Sequence, residues 1–201
     1  MYPITAGLVF ATIMVVAAGF RRARHPFARF GLANQITAVR ALLVALVVAS
    51  IGEPGERSVA AAAVVLGLLT TALDGVDGWL ARRSGSASEF GARFDMEVDA
   101  LLILALATLV WRHDKAGAWV LLSGLLRYLF VIAGWMMPWL GAPLPFSRRR
   151  QTICVVQIGG LMLALTPSIE APASTLFAGI ALVALCYSFL VDTLWLWHRA
   201  R

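Results

Sequence analysis

The sequence predicts an all-α integral membrane protein with about seven transmembrane helices. Hydrophobic residues make up 60% of its 201 positions, and the mean hydropathy is +0.81. Apolar stretches recur along the chain at lengths close to the roughly 17–25 residues that a membrane-spanning helix needs. The alternating pattern of a transmembrane β-strand is absent from the sequence. Because lipid leaves only helices or closed barrels as spanning structures, the stretches are predicted to be helices.

The apolar stretches place the spans in order along the chain. The first stretch, at 4–20, has its basic residues after the apolar run rather than before it. A signal peptide has the opposite order, so this stretch is predicted to be a retained anchor helix. The remaining predicted spans are 36–52, 59–82, 93–111, 117–140, 151–166 and 174–197.

The basic residues predict the orientation of the chain. With the N-terminus outside and the C-terminus cytoplasmic, thirteen arginines lie at cytoplasmic helix ends and three basic residues lie at outer ends. This is the positive-inside distribution. The same distribution explains the pI near 10.3 by attraction to anionic lipid. No nucleic-acid-reading module accompanies the basic residues, so we expect a lipid bilayer and no nucleic acid as partner. The expected location is the inner, cytoplasmic membrane.

Four aspartates interrupt two of the predicted spans. Asp74 and Asp77 are three residues apart at the cytoplasmic end of the third span, and Asp95 and Asp99 are four apart at the start of the fourth. Residues at these spacings share one helix face. A short connection of small and polar residues makes the two helices neighbours. We therefore expect the four carboxylates to line one pocket at the cytoplasmic face.

Clustered carboxylates repel one another strongly where the dielectric constant is low, so either several of them are protonated or a cation neutralises them. The cluster contains neither Cys nor His, and an all-oxygen ligand set favours Mg²⁺, Mn²⁺ or Ca²⁺ over zinc. Gly78 and Gly91 would let a ligand approach the helix backbone, and Arg82 would supply donors for an anion. A single intramembrane aspartate can serve helix packing alone. A cluster of ionisable groups indicates a functional site.

The aspartates belong to a longer pattern, DGVDGWLAR followed after eight residues by GARFDMEVD. It resembles the signature of the CDP-alcohol phosphotransferase family, D-x-x-D-G-x-x-A-R and then G-x-x-x-D-x-x-x-D, at every fixed position. Upstream, NQITAVR is similar to the N-x-x-T-x-x-R that enters the family's first core helix. The resemblance implies a six-helix domain at 34–201, preceded at 1–33 by an anchor helix and an interfacial segment.

The resemblance also implies a role for each matching residue. Asp74, Asp77, Asp95 and Asp99 would hold two Mg²⁺ or Mn²⁺ ions, and Asp99 would also be the general base for an acceptor hydroxyl. The donor would be CDP-diacylglycerol, the phosphatidyl group would move to the hydroxyl, CMP would leave, and the enzyme would be a homodimer. The donor would contact the other fixed positions, which are Asn34, Thr37, Arg40, Gly78, Ala81, Arg82 and Gly91.

A basic stretch, PFSRRRQTICVVQ, lies between the fifth and sixth predicted spans. Arg148, Arg149 and Arg150 either anchor this loop at the membrane or bind a phosphate on the acceptor. Family members that make phosphatidylglycerolphosphate or cardiolipin carry a similar stretch with Lys where Arg stands here. The acceptor therefore stays open: glycerol-3-phosphate or another phosphate-bearing alcohol is expected first, and phosphatidylglycerol and serine are alternatives. Arg127, costly near mid-membrane, is predicted either to reach the acceptor or acidic pocket or to pair with Asp192.

Two other classes of membrane protein also use acidic clusters. Membrane prenyltransferases bind Mg²⁺ and a diphosphate through two separate Asp-rich motifs, whereas here the four aspartates lie within 26 positions. Cation transporters place their ion sites near the midplane, on broken helices or between repeats. This cluster is predicted at the cytoplasmic edge, and no repeat is visible. The sequence favours the transferase, and metal-dependent CMP release would distinguish the three classes.

Overall fold

A computed structural model describes residues 2–24, 32–84, 89–145 and 147–200, and for 16–24, 32–34, 77–84 and 89–90 it describes the backbone alone. All regular secondary structure within these ranges is helical. Two short 3₁₀ segments, Ala118–Leu121 and Pro138–Gly141, flank the fifth α-helix. The α-helices are α1 (Tyr2–Arg24), α2 (Leu32–Ser50), α3 (Arg57–Ser84), α4 (Glu89–Arg112), α5 (Leu122–Met136), α6 (Arg148–Leu165) and α7 (Ala173–Ala200).

Each predicted span falls on one of these helices, which confirms the all-helical fold class. Three helical stretches are long and apolar enough to cross a membrane, Arg57–Val76, Ala118–Met136 and Ala173–Ala200. Shorter apolar helices cover Tyr2–Val15 and Gln35–Ser50, within the part of the chain whose side chains the structure describes. The full number of seven spans and the direction of the termini stay predictions.

The fifth predicted span, 117–140, is less regular than expected. Its helix stops at Met136, and Met137 has extended backbone angles, φ −123° and ψ 96°, immediately before Pro138. A proline disfavours the helical conformation in the residue that precedes it, which explains the stop. The 3₁₀ segment then approaches the end of α5 closely, since a Cβ on Gly141 would lie 3.3 Å from the carbonyl oxygen of Gly134.

The chain divides into two compact units, Met1–Ala105 and Leu106–Arg201. In the first unit α2 packs against both α1 and α3. The Tyr2 hydroxyl donates a 2.9 Å hydrogen bond to the carbonyl oxygen of Leu46 and so joins α1 to α2. Small and branched side chains of α2, including Ala41 and Val44, are fully buried. The division of the chain at residues 33 and 34 stays a prediction.

In the second unit a buried lysine joins the turn after α4 to the segment that begins α7. The Lys115 ammonium donates a 2.8 Å hydrogen bond to the carbonyl oxygen of Ile169 and lies 2.8 Å from a carboxylate oxygen of Glu170. The hydroxyl of Ser174 donates to the carbonyl oxygen of Lys115 at 2.7 Å. Lys115 therefore has a structural role in this unit.

Close packing of α6 on α7 yields a stability prediction with a matched control. A Cβ on Gly160 would lie 2.7 Å from the Ala181 Cβ and 3.2 Å from the Phe177 carbonyl oxygen, whereas a Cβ on Gly159 would meet nothing within 4 Å. We expect Gly160→Ala to lower the free energy of unfolding by about 1–3 kcal/mol through overpacking. Gly159→Ala should be neutral or raise it by up to about 1 kcal/mol. Thermal melts in detergent measure both, and equal melting temperatures for the two variants would contradict the packing.

Candidate active site

Three aspartates from two helices converge in the first unit. Asp74 comes from α3, and Asp95 and Asp99 stand one turn apart on α4. One carboxylate oxygen from each lies within 4.8 Å of the other two. The three side chains are 20–35% exposed, so the cluster is neither sealed nor fully solvated. The predicted facing of the two carboxylate pairs is thus found for three of the four aspartates.

A single arginine contacts all three carboxylates. Arg40, on α2, has a fully buried side chain. Its Nη1 lies 2.8 Å from Asp74 Oδ1 and also donates to Asp95 Oδ1, while its Nη2 donates to Asp99 Oδ1 at 2.5 Å. A carboxylate cluster of this density needs positive charge nearby, and the guanidinium supplies part of it.

The cluster fits a hard divalent cation. Its donors are all carboxylate oxygens, the ligand type that Mg²⁺, Mn²⁺ and Ca²⁺ prefer. The oxygens are close enough together for one ion to contact more than one of them. The described residues could therefore hold a metal ion.

Several predicted site residues have no described side chain. The structure describes only the backbone of Asp77, Gly78, Ala81 and Arg82 on α3 and of Asn34 on α2. Of the remaining predicted donor contacts, Thr37 is buried one turn before Arg40 on α2, and Gly91 is half-buried at the start of α4. The roles predicted for these residues stay predictions.

The second unit contains a separate cluster of opposite charges. Arg149, in the first turn of α6, donates from Nη1 to the carbonyl oxygen and the hydroxyl of Ser188 at 2.7 and 2.8 Å. Its Nη2 donates to Asp192 Oδ1 at 2.5 Å. Arg150 donates to the same Asp192 oxygen at 3.4 Å and also to the carbonyl oxygen of Pro145. Asp192 itself is buried on α7.

This cluster bears on one of the two expectations for Arg127, namely that it pairs with Asp192. The Asp192 carboxylate instead forms ion pairs with Arg149 and Arg150. Arg127 is half-buried on α5, and its predicted contact with the acceptor or the acidic pocket stays a prediction. Arg148 is exposed at the start of α6 and has no ion pair within the residues that the structure describes. The three consecutive arginines thus have different surroundings.

A family model described as CDP-alcohol phosphatidyltransferase matches residues 30–197. The chain belongs to this family. The transferase is therefore an enzyme that transfers substituted phosphate groups, and the family supports phosphatidyl transfer in phospholipid synthesis. Its substrates are a CDP-alcohol donor and a hydroxyl acceptor. Comparison with curated proteins and with solved structures gives no match.

Family membership also bears on the cation and on the membrane. CDP-alcohol phosphatidyltransferases are typically dependent on divalent metal, and the aspartate triad of this transferase could bind one. The family and the three long apolar helices together indicate an integral membrane protein.

Sequence reasoning missed two contacts of the described side chains. It assigned Arg40 to the donor and did not predict its contact with the carboxylates, because the motif specifies that an arginine is present but not what it contacts. It also left the partner of Arg149 unstated. One signal was available: an aspartate within the last apolar stretch requires a basic partner, and α6 and α7 are consecutive helices joined by a short connection.

Proposed function

We propose that the transferase moves the phosphatidyl group of CDP-diacylglycerol to the hydroxyl of a phosphate-bearing alcohol, glycerol-3-phosphate being the first candidate, with release of CMP. The observation that carries this proposal is the triad of Asp74, Asp95 and Asp99, whose oxygens lie within 4.8 Å of one another inside the segment that matches the family. Phosphoryl transfer depends mainly on positioning and on neutralising charge, which such a cluster can serve.

In the proposed reaction Asp99 accepts the proton of the acceptor hydroxyl. The hydroxyl oxygen then bonds to the phosphorus that bears the diacylglycerol. The bond from that phosphorus to the bridging oxygen breaks, and the electron pair leaves with CMP. A positioned general base of this kind contributes about 10²–10⁴-fold to a rate. Asp99 is the least exposed carboxylate of the triad, at 20%, which suits a group that must meet a bound hydroxyl rather than bulk water.

The other acidic residues would hold the donor through metal. Asp74, Asp77 and Asp95, with a contribution from Asp99, would bind two Mg²⁺ or Mn²⁺ ions. Such ions, when bound, neutralise negative charge on the oxygens of a diphosphate. Gly78, Ala81 and Gly91 would leave room beside the carboxylates for the cytidine nucleotide, and Asn34, Thr37 and Arg82 would contact the donor.

The basic cluster of the second unit would bind the phosphate of the acceptor. A buried aspartate holds Arg149 in one orientation and touches Arg150, while Arg148 is exposed. Three guanidinium groups against one carboxylate leave an excess of positive charge, and guanidinium groups match phosphate oxygens in geometry. Arg127 is proposed as a further contact of the acceptor. These charges favour a phosphorylated acceptor over serine or a neutral alcohol.

Arg148 gives the sharpest test of acceptor recognition, because its replacement breaks no described ion pair. We expect Arg148→Gln to raise KM for glycerol-3-phosphate about tenfold or more, since a hydrogen bond to a charged group contributes about 1.5–3 kcal/mol. The KM for CDP-diacylglycerol should not change. Arg199→Gln, which removes an exposed arginine at the end of α7, is the matched control. Equal values of KM for the acceptor in the two variants would contradict the assignment.

The direct test of the proposed function measures CMP release from CDP-diacylglycerol by the purified transferase. The acceptor panel contains glycerol-3-phosphate, phosphatidylglycerol, inositol phosphate and serine, each with Mg²⁺, with Mn²⁺ and with chelator. We expect release that requires a divalent ion and one phosphate-bearing acceptor. Release with phosphatidylglycerol alone would assign a cardiolipin-type synthase instead. Absence of release with every acceptor would overturn the proposed donor.

The proposed setting is the inner membrane, with the active site at the cytoplasmic face and the enzyme as a homodimer. The excess of basic residues at one set of helix ends supports the orientation. Accessibility of cysteines introduced near residues 20 and 53 to a membrane-impermeant reagent would test it, with labelling from opposite sides expected.

A further inference from the structure

Arg40 contacts the same carboxylates that a divalent cation would use. Its two terminal nitrogens reach Oδ1 of Asp74, of Asp95 and of Asp99. A hard cation would sit about 2.0–2.6 Å from such oxygens, so it would need the same oxygens that the guanidinium contacts. The positive guanidinium and a positive ion repel each other, so both cannot hold these oxygens in the same arrangement.

Burial makes this contact a feature of the site rather than of the surface. The Arg40 side chain is 0% exposed, whereas exposed ion pairs contribute little and rearrange freely. A buried guanidinium without its carboxylates would be strongly destabilising, and so would the carboxylates without a cation. The guanidinium and the carboxylates therefore stabilise one another, and their contacts join α2 to α3 and α4.

We propose that Arg40 is a resident counter-cation of the carboxylate cluster and that divalent metal binds in competition with it. The inference rests on the proposed metal site. Before metal binds, the guanidinium holds the three aspartates together. For metal to bind, at least part of the Arg40 guanidinium would have to leave the carboxylates. Its N–H groups would then be available to the negatively charged diphosphate of the CDP-linked substrate. Arg40 is in this sense a positioning residue. It lowers the affinity of the cluster for metal alone and favours binding of metal together with the CDP-linked substrate.

Binding of Mn²⁺ alone tests the proposal without any turnover. The wild type, Arg40→Gln and Arg40→Lys are titrated with MnCl₂ by calorimetry in detergent, with no donor present. We expect Arg40→Gln to tighten Mn²⁺ binding at least tenfold, which corresponds to about 1.4 kcal/mol. Arg40→Lys keeps the charge but has one donor nitrogen instead of the planar guanidinium. Its dissociation constant for Mn²⁺ should therefore fall between those of the wild type and Arg40→Gln.

Melting temperature supplies a second readout. In chelator Arg40→Gln should melt below the wild type, and Mn²⁺ should raise its melting temperature by more than it raises that of the wild type. Arg93→Gln, an exposed arginine two residues from Asp95, is the control for loss of one positive charge near the cluster. It should leave Mn²⁺ affinity close to the wild-type value.

The outcomes separate the inference from the proposed function. Mn²⁺ affinity that is unchanged or weaker in both Arg40 variants would overturn the competition and leave the metal site standing. If Arg40→Gln does not fold, the affinity of Arg40→Lys decides alone, and a value no tighter than the wild type overturns the inference. Absence of Mn²⁺ binding in every protein, the wild type included, would overturn the metal site and the inference with it.

Discussion

Replacing Asp99 by Asn should reduce phosphatidyl transfer at least about a hundredfold, because it removes the proposed proton acceptor, whose contribution is about 10²–10⁴-fold. The substitution keeps the size of the side chain and its ability to accept a hydrogen bond from Arg40 Nη2. Metal-dependent binding of CDP-diacylglycerol should therefore survive. CMP release measures the first effect and calorimetric titration of the donor measures the second.

Glu97→Gln is the matched control for this loss. Glu97 lies on α4 between Asp95 and Asp99, and its side chain is exposed. The control removes the same charge from the same helix and should retain activity to within roughly threefold. Turnover by Asp99→Asn above about a hundredth of the wild-type rate would remove Asp99 from the role of base.

Replacing Asp95 by Asn should also cost at least about a hundredfold in activity, but for a different reason. Asp95 is assigned to the metal, and metal ions contribute several kcal/mol of charge stabilisation, where each 1.4 kcal/mol is about tenfold. A weakened metal site can be refilled by mass action. Activity of Asp95→Asn should therefore rise as Mg²⁺ is increased far beyond the concentration that saturates the wild type.

The two aspartates are distinguished by this rescue. Asp99→Asn should stay inactive at high Mg²⁺, because added metal does not replace a proton acceptor. Identical responses of the two variants to Mg²⁺ would show that the roles have been divided wrongly within the triad. Initial rates over a range of Mg²⁺ concentrations, at a fixed ionic strength, provide the comparison.

The location of the helices was largely predictable from the sequence. Hydropathy and length place each helix, because a chain in lipid must satisfy its backbone hydrogen bonds internally. The break at Met137 was missed, although Pro138 was visible, because the apolar run continues through it. A hydropathy pattern does not distinguish one long helix from a helix followed by a 3₁₀ turn of equal polarity.

The aspartate triad was predictable for a related reason. Spacings of three and four residues put carboxylates on one face of each helix, and a short connection makes α3 and α4 neighbours. The partners of these charges were not predictable. Arg40 lies 34 positions before Asp74 in the sequence, and Asp192 lies more than 40 positions after Arg149 and Arg150.

The sequence by itself determined the class of the protein: a helical membrane chain with an acidic motif that resembles the signature of one family. Only the tertiary structure decided which cation faces the carboxylates and which arginines face Asp192. The physical reason is that periodicity orients a side chain about its own helix axis. The meeting of side chains from different helices depends on how those helices rotate and pack against each other, as the contact of Gly160 with Ala181 illustrates.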